Sequence, residues 1–317
     1  MTNDANEFLE TEIEMYGAQQ EGIEATVPIP RRTPFFEASN APRYQRQALI
    51  QGIEKENGNQ LICYVSGSAA SIERDDTIGF VDLLHNIPEG SNLDVLLHTG
   101  GGDIDAAEKL VSLARRKVGN STLRFVIPDF AKSAGTLMCL GADRVVMSDT
   151  SELGPIDPQI VLRDADGNSV RYSVQSYLDA YEFHSQILTA NPADVASQLM
   201  INKIDPMRHK QFEAYMSRAR EIAQNHLKRG MFRSGGGNYS KTAAALLNTK
   251  RWLSHGQMIS WEDAIDPEIG LIVDYIECDI PIWENYWRLY CLQRLAIKDR
   301  EKIFESSIAS LIVEQGT

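Results

Sequence analysis

The chain contains no run of about 18 apolar residues, so the sequence predicts no transmembrane helix. It lacks the GxSxG, HExxH and Walker A patterns, which argues against the enzyme classes built on them. Cysteine is scarce. Cys63, Cys139, Cys278 and Cys291 are widely spaced and form no C-x-x-C pair, so a disulfide framework or zinc ribbon is not expected. Reduced, mostly buried thiols and a cytoplasmic setting are. Positive charge is in deficit: 31 Lys and Arg stand against 44 Asp and Glu, a formal net charge of -13. Nucleic acid and anionic membrane surfaces both demand a basic face, so neither is an expected partner. The opening residues MTNDANEFLETEIEMYG are acidic, with no apolar h-region, and do not read as a secretory signal.

The 317 residues are 43% hydrophobic and 24% charged, enough for one large core or two small ones. Three parts are predicted. Residues 1-40 read as an acidic flexible arm ending in Pro28, Pro30 and Pro34, with a short helix conceivable over Phe8 to Tyr16. Residues 41-280 form an α/β body. Its strands are read at Leu61 to Val65, Leu93 to Leu97, Leu123 to Ile127 and Arg144 to Met147, with helical spacing between them. That alternation predicts a mainly parallel sheet with right-handed crossovers. Helices are expected over Tyr177 to Leu188 and Met207 to Lys228, and residues 281-317 read as a helical extension rich in aromatics.

Two loops follow predicted strands. Thr99-Gly100-Gly101-Gly102-Asp103 frees the backbone to turn sharply and exposes N–H groups able to hold a carboxylate, phosphate or oxyanion. Such turns are also commonly structural. Phe130-Ala131-Lys132-Ser133-Ala134-Gly135-Thr136 opens a helix, so the Ser133 hydroxyl is either a nucleophile at the positive end of a helix dipole or an N-cap. Asp103 suits the N-cap of its own helix.

Taken together, Leu97-His98-Thr99-Gly100-Gly101-Gly102, Ala131-Lys132-Ser133-Ala134-Gly135 and Leu140-Gly141-Ala142-Asp143 resemble the Clp-type serine peptidases. The nearest resemblance is to the serine dehydrogenase proteinase family, relatives of signal peptide peptidase A. It extends over Ser151-Glu152-Leu153-Gly154-Pro155-Ile156-Asp157-Pro158-Gln159, Lys203-Ile204-Asp205-Pro206 and Ser254-His255-Gly256, covering about residues 60 to 275. One departure is Gly100, where relatives carry proline.

The resemblance implies an α/β fold of the Clp and crotonase type and a serine endopeptidase with no metal or organic cofactor. It implies Ser133 as nucleophile, the N–H groups of Gly101 and Ala134 as oxyanion hole, and Gly102 pairing with substrate backbone. The base is left open. In the Clp proteolytic subunit a histidine follows the serine by some twenty-five residues, and here that region holds Asp157, an orienting or turn-holding residue. His255 and Lys203 are the candidate bases, against a turn histidine and a surface lysine; His184 is a third, and reads equally as a packing residue. Partners implied are a peptide or protein substrate, further copies of the chain, and a separate unfoldase or regulatory protein. Self-association is expected through the Phe212 to Leu227 helix and the aromatic tail. Two alternatives stand beside this reading: a non-catalytic peptide-binding scaffold and a crotonase-like acyl-CoA enzyme.

Overall fold

A computed structural model describes residues 33-163 and 166-316. The expected arm over residues 1-32, including the helix at Phe8 to Tyr16, lies outside the described residues. Helix α1 spans Pro34–Asn57, so regular structure begins inside the stretch expected to be arm up to residue 40. Strand β1 (Gln60–Ser66), helix α2 (Asp76–His85), strand β2 (Leu93–His98), helix α3 (Ile104–Val118) and strand β3 (Leu123–Val126) follow. Then come β4 (Phe130–Ala131), α4 (Ala134–Leu140), β5 (Arg144–Met147), β6 (Glu152–Leu153) and a hairpin of β7 (Gln159–Arg163) and β8 (Ser169–Ser173). Helices α5 (Val174–Ala190), α6 (Val195–Ile201), α7 (Pro206–Arg229), α8 (Tyr239–Leu246) and α9 (Trp261–Ile265) precede β9 (Val273–Tyr275), α10 (Pro281–Ala296), β10 (Glu301–Ser306) and β11 (Ser310–Glu314).

The main sheet has the order β11-β10-β1-β2-β3-β5-β9, with β1, β2, β3, β5 and β9 parallel. Its strands alternate between two cores with the period-2 geometry of a pleat. Ile62, Tyr64, Val95, Leu97 and Phe125 face α2, α3, α4 and α7. Leu61, Cys63, Val65, Leu96, Val126 and Val146 face Ile50 and Ile53 of α1 and Trp283, Tyr286 and Leu289 of α10. Both faces are covered, which is why these strands read as continuous apolar runs. Asp103 caps α3 by accepting from the N–H groups of Asp105 and Ala106, and Gly119 ends the helix at φ +61°.

Helical structure stops at Ala296, which corrects the expected helical extension over residues 281-317. The closing strands join the sheet instead, with β10 antiparallel to β1. Glu305 and Lys302 lie buried on β10 because each meets an opposite charge far away in sequence. Arg46 donates to both oxygens of Glu305, and Lys302 Nζ lies 2.7 Å from Glu73 and 2.5 Å from Asp76. Removing one member of such a pair costs about 3–5 kcal/mol. The two faces nominated for self-association are partly used within the chain, while Tyr215 and Trp287 on them stay exposed. Trp283, Tyr286 and Tyr290 pack on the chain's own sheet, and Phe212, Met216, Ala219 and Ile222 of α7 are buried against neighbouring helices.

Candidate active site

The ends of β2 and β3 are extended by a short ladder above the main sheet. Thr99 pairs with Ala131, β4 with β6, and Leu153 with Ile259. On the other flank Ile72 pairs with Gly102, its N–H donating to Gly101 O at 2.8 Å and its carbonyl accepting from Asp103 N–H at 2.9 Å. These pairings bring the glycine turn against the serine turn. A Cβ on Gly101 would lie 2.7 Å from Ser133 Cβ, and one on Gly135 would lie 2.6 Å from Thr99 Cγ2. Only glycine fits at either place, which gives the Gly-Gly and Ser-Ala-Gly patterns a steric cause.

Ser133 has φ +53° and ψ -116° and is the only non-glycine with positive φ among the described residues. Such a conformation costs about 1–3 kcal/mol and persists where the surroundings impose it. Although Ser133 precedes α4, its hydroxyl makes no capping bond. Half-buried at the positive end of α4, that hydroxyl is free to react rather than spent on the helix. Thr136 serves the frame, donating to Ala131 O at 2.7 Å and accepting from Gly154 N–H at 3.0 Å.

Of the expected backbone donors, Ala134 N–H belongs to the first residue of α4, where no intrahelical acceptor exists. Gly101 N–H is turned to Thr99 Oγ1 at 3.1 Å. Gly102 is exposed, and its own N–H and C=O lie on the strand edge opposite the Ile72 bonds.

His255 is brought to Asp157. Its Nδ1 lies 2.8 Å from Asp157 Oδ1, while Gln159 Nε2 donates to Oδ2 at 2.7 Å. Burial pushes the Asp157 carboxyl up, but the bond and charge of His255 outweigh it and hold the group below its ordinary value. With Nδ1–H donating to the carboxylate, Nε2 of a neutral His255 is left as a proton acceptor. The Ser254–Gln257 turn is linked to the serine turn through Lys132, whose Nζ reaches Gln257 O at 3.4 Å.

Lys203 and His184 are not brought to this cluster. Lys203 is exposed on the turn between α6 and α7, where its amide bonds Met200 O. His184 Nδ1 pairs with Ser197 Oγ at 3.1 Å between α5 and α6. One group that the sequence reading passed over is His98, buried beside the glycine turn. It packs at a tilt against Phe130 and Tyr290 with centroids 4.1 and 4.9 Å away, and burial together with Arg294 lowers its pKa to about 3. Its position directly before Thr99-Gly100-Gly101 is the signal that could have singled it out.

The model of a family described as ClpP-like SDH-type serine proteinase matches residues 69–234. An uncharacterised protein of Methanocaldococcus jannaschii is 27% identical over 147 residues, 43% of this chain and 47% of its own length. A second from the same organism is 27% identical over 200 residues, 63% of this chain and 59% of its own. The chain thus spans about half the length of the curated relatives it matches. Among solved structures, a membrane-bound stomatin-specific protease is similar with 13% identity and a TM-score of 0.38, over 68% of this chain and 80% of that one. ClpP1 from Listeria monocytogenes is similar with 12% identity and a TM-score of 0.39, over 74% and 96%.

Proposed function

Because the chain belongs to the ClpP-like SDH-type serine proteinase family, we propose that it is a serine endopeptidase with Ser133 as nucleophile, His255 as general base and Asp157 orienting the base. The observation that carries this reading is the strained, uncapped Ser133 at the head of α4, pressed against Gly101. In the proposed reaction His255 Nε2 accepts the Ser133 Oγ proton as Oγ bonds to the carbonyl carbon of the substrate. The carbonyl oxygen takes the negative charge beside Ala134 N–H and Gly101 N–H. Collapse breaks the C–N bond, and His255 returns the proton to the leaving amine. Water then attacks the acyl carbon, giving a proton to His255; collapse breaks the C–Oγ bond, His255 returns the proton to Ser133 Oγ, and the acid is released. Donors of this kind are typically worth about 10²–10³ in rate each. The edge of Gly102 supplies one N–H and one C=O for an extended substrate strand.

The choice of His255 over Lys203 rests on the Asp157 bond, which fixes the imidazole as a base needs to be fixed. No helix among the described residues is long and apolar enough to cross a membrane. Self-association remains an expectation of the family resemblance, to be tested by light scattering.

One observation favours a second reading. Gly101 N–H already bonds Thr99, so the site as it stands is one donor short, as a peptide-binding scaffold without turnover would be. A fluorophosphonate probe separates the two. Covalent labelling lost in Ser133→Ala supports the peptidase. An unlabelled protein that still binds peptides supports the scaffold.

A further inference from the structure

Three motifs meet at one side chain that the mechanism above does not use. Lys132 precedes the nucleophile, yet its side chain runs away from it and is only 13% exposed. Nζ lies 2.9 Å from Leu153 O, 3.4 Å from Gln257 O and 2.6 Å from Glu152 Oε2. An ammonium has three donors, and here three oxygens receive them. The Lys132 stem crosses Gly154, where a Cβ would come within 2.7 Å of Lys132 Cδ. The segment Glu152-Leu153-Gly154 therefore supplies a carboxylate, a carbonyl and an empty space, all to the same lysine.

We propose that Lys132 is a positioning residue that holds the Ser254–Gln257 turn, and with it His255, in register with Ser133. This rests on the assignment of His255 as base. Gln257 is the handle. Its N–H bonds Ser254 O at 2.9 Å and its side-chain Oε1 accepts from Leu253 N–H at 3.0 Å, so the turn around His255 moves as one piece. Asp157 restrains the imidazole from one side, and Lys132 restrains the backbone that carries it from the other. The same residue covalently adjoins the nucleophile, so any shift of the serine turn is passed to the base. Lys132 itself is not the base, because its donors are committed to fixed acceptors.

The fold should tolerate loss of the ammonium, since Leu153 O keeps its bond from Ile259 N–H at 3.1 Å. The test is the rate at which a fluorophosphonate labels Ser133 in the wild type, Lys132→Met, His255→Ala and the double variant. Amide deuterium exchange is followed in parallel. A misplacement of about 1 Å can cost on the order of 10²-fold, and that is the loss expected for Lys132→Met. The double variant should be no slower than His255→Ala alone, and exchange should quicken over residues 253-257 but not in α7. If Lys132→Met does not fold, Gly154→Ala, which displaces the stem, takes its place in the cycle. Losses that multiply in the double variant, or unchanged exchange over residues 253-257 in the folded variant, overturn the proposal. Normal labelling in Lys132→Met beside a crippled His255→Ala removes Lys132 alone. Normal labelling in His255→Ala removes the base assignment, and this proposal with it.

Discussion

His255 Nδ1 and Asp157 Oδ1 lie 2.8 Å apart, although 98 positions separate them in the chain. The carboxylate stands in the region where Clp proteolytic subunits carry their histidine, and the imidazole arrives from the turn before α9. The resulting chain order of serine, acid and histidine is that of α/β-hydrolase triads, so order alone is no objection to a triad. Asp157→Asn keeps the shape but removes the acceptor that selects the Nδ1–H tautomer. Its rate of Ser133 acylation should fall on the order of 10⁴-fold. Stability responds in a defined direction as well. The folded carboxyl lies below its ordinary value of 3.8, so its contribution is present at neutral pH and lost as pH falls through the depressed value. Melting curves of wild type and Asp157→Asn should differ at pH 7 and converge in strong acid; a constant gap would contradict the pairing.

Ser133 offers a second check that needs no substrate. Ser133→Ala retains the positive φ and should melt close to the wild type while losing all covalent labelling. Ser133→Gly relieves the backbone and should be more stable than Ser133→Ala by about 1 kcal/mol, read as a shift in denaturant midpoint. A Gly variant less stable than the Ala variant would mean that the turn is not strained.

Thr99 Oγ1 accepts from the N–H of Gly101, the donor proposed for the oxyanion. Thr99→Val keeps Cγ2 against Gly135 and removes Oγ1, leaving Gly101 N–H free to point at substrate. Acylation should be several-fold faster than in the wild type. An unchanged rate would exclude Gly101 from the oxyanion hole.

His98 is kept neutral by burial, its pKa lowered from 6.5 to about 3. Between those values the unfolded chain binds a proton that the folded chain does not, so stability should rise with pH across that window. Replacing His98 with Gln should flatten that part of the pH–stability curve, measured by chemical denaturation at intervals from pH 4 to 7. An identical slope in both proteins would show that His98 is protonated in place.

Much of this architecture was legible in the chain. The buried strands announced themselves as apolar runs, α3 as an amphipathic stripe behind Asp103, and the Gly101 and Ser133 turns as small residues following strands. Pairings between distant polar groups were not legible. Glu301–Ser306 carries Lys302 and Glu305 at positions that look like a solvated face, and opposite charges more than 200 residues away, Glu73 and Asp76 for the one and Arg46 for the other, make them fit for a sheet interior. The same holds for His255, a turn histidine until Asp157 is beside it, and for Lys132, whose direction depends on the space left by Gly154. The aromatic tail was legible as a packing stripe but not in what it covers: Trp283, Tyr286 and Leu289 face the chain's own sheet, while Trp287 stays exposed.

The central claim is that Ser133 and His255 act on one carbonyl, and a peptidyl chloromethyl ketone tests it most directly. In such a site the serine oxygen adds to the ketone carbon, while the base nitrogen displaces chloride from the methylene carbon. Intact mass and peptide mapping should show one adduct, alkylated at His255, absent in Ser133→Ala and in His255→Ala. Alkylation at Lys203, at His184 or at a thiol in place of His255, or the same His255 adduct in Ser133→Ala, would contradict the account.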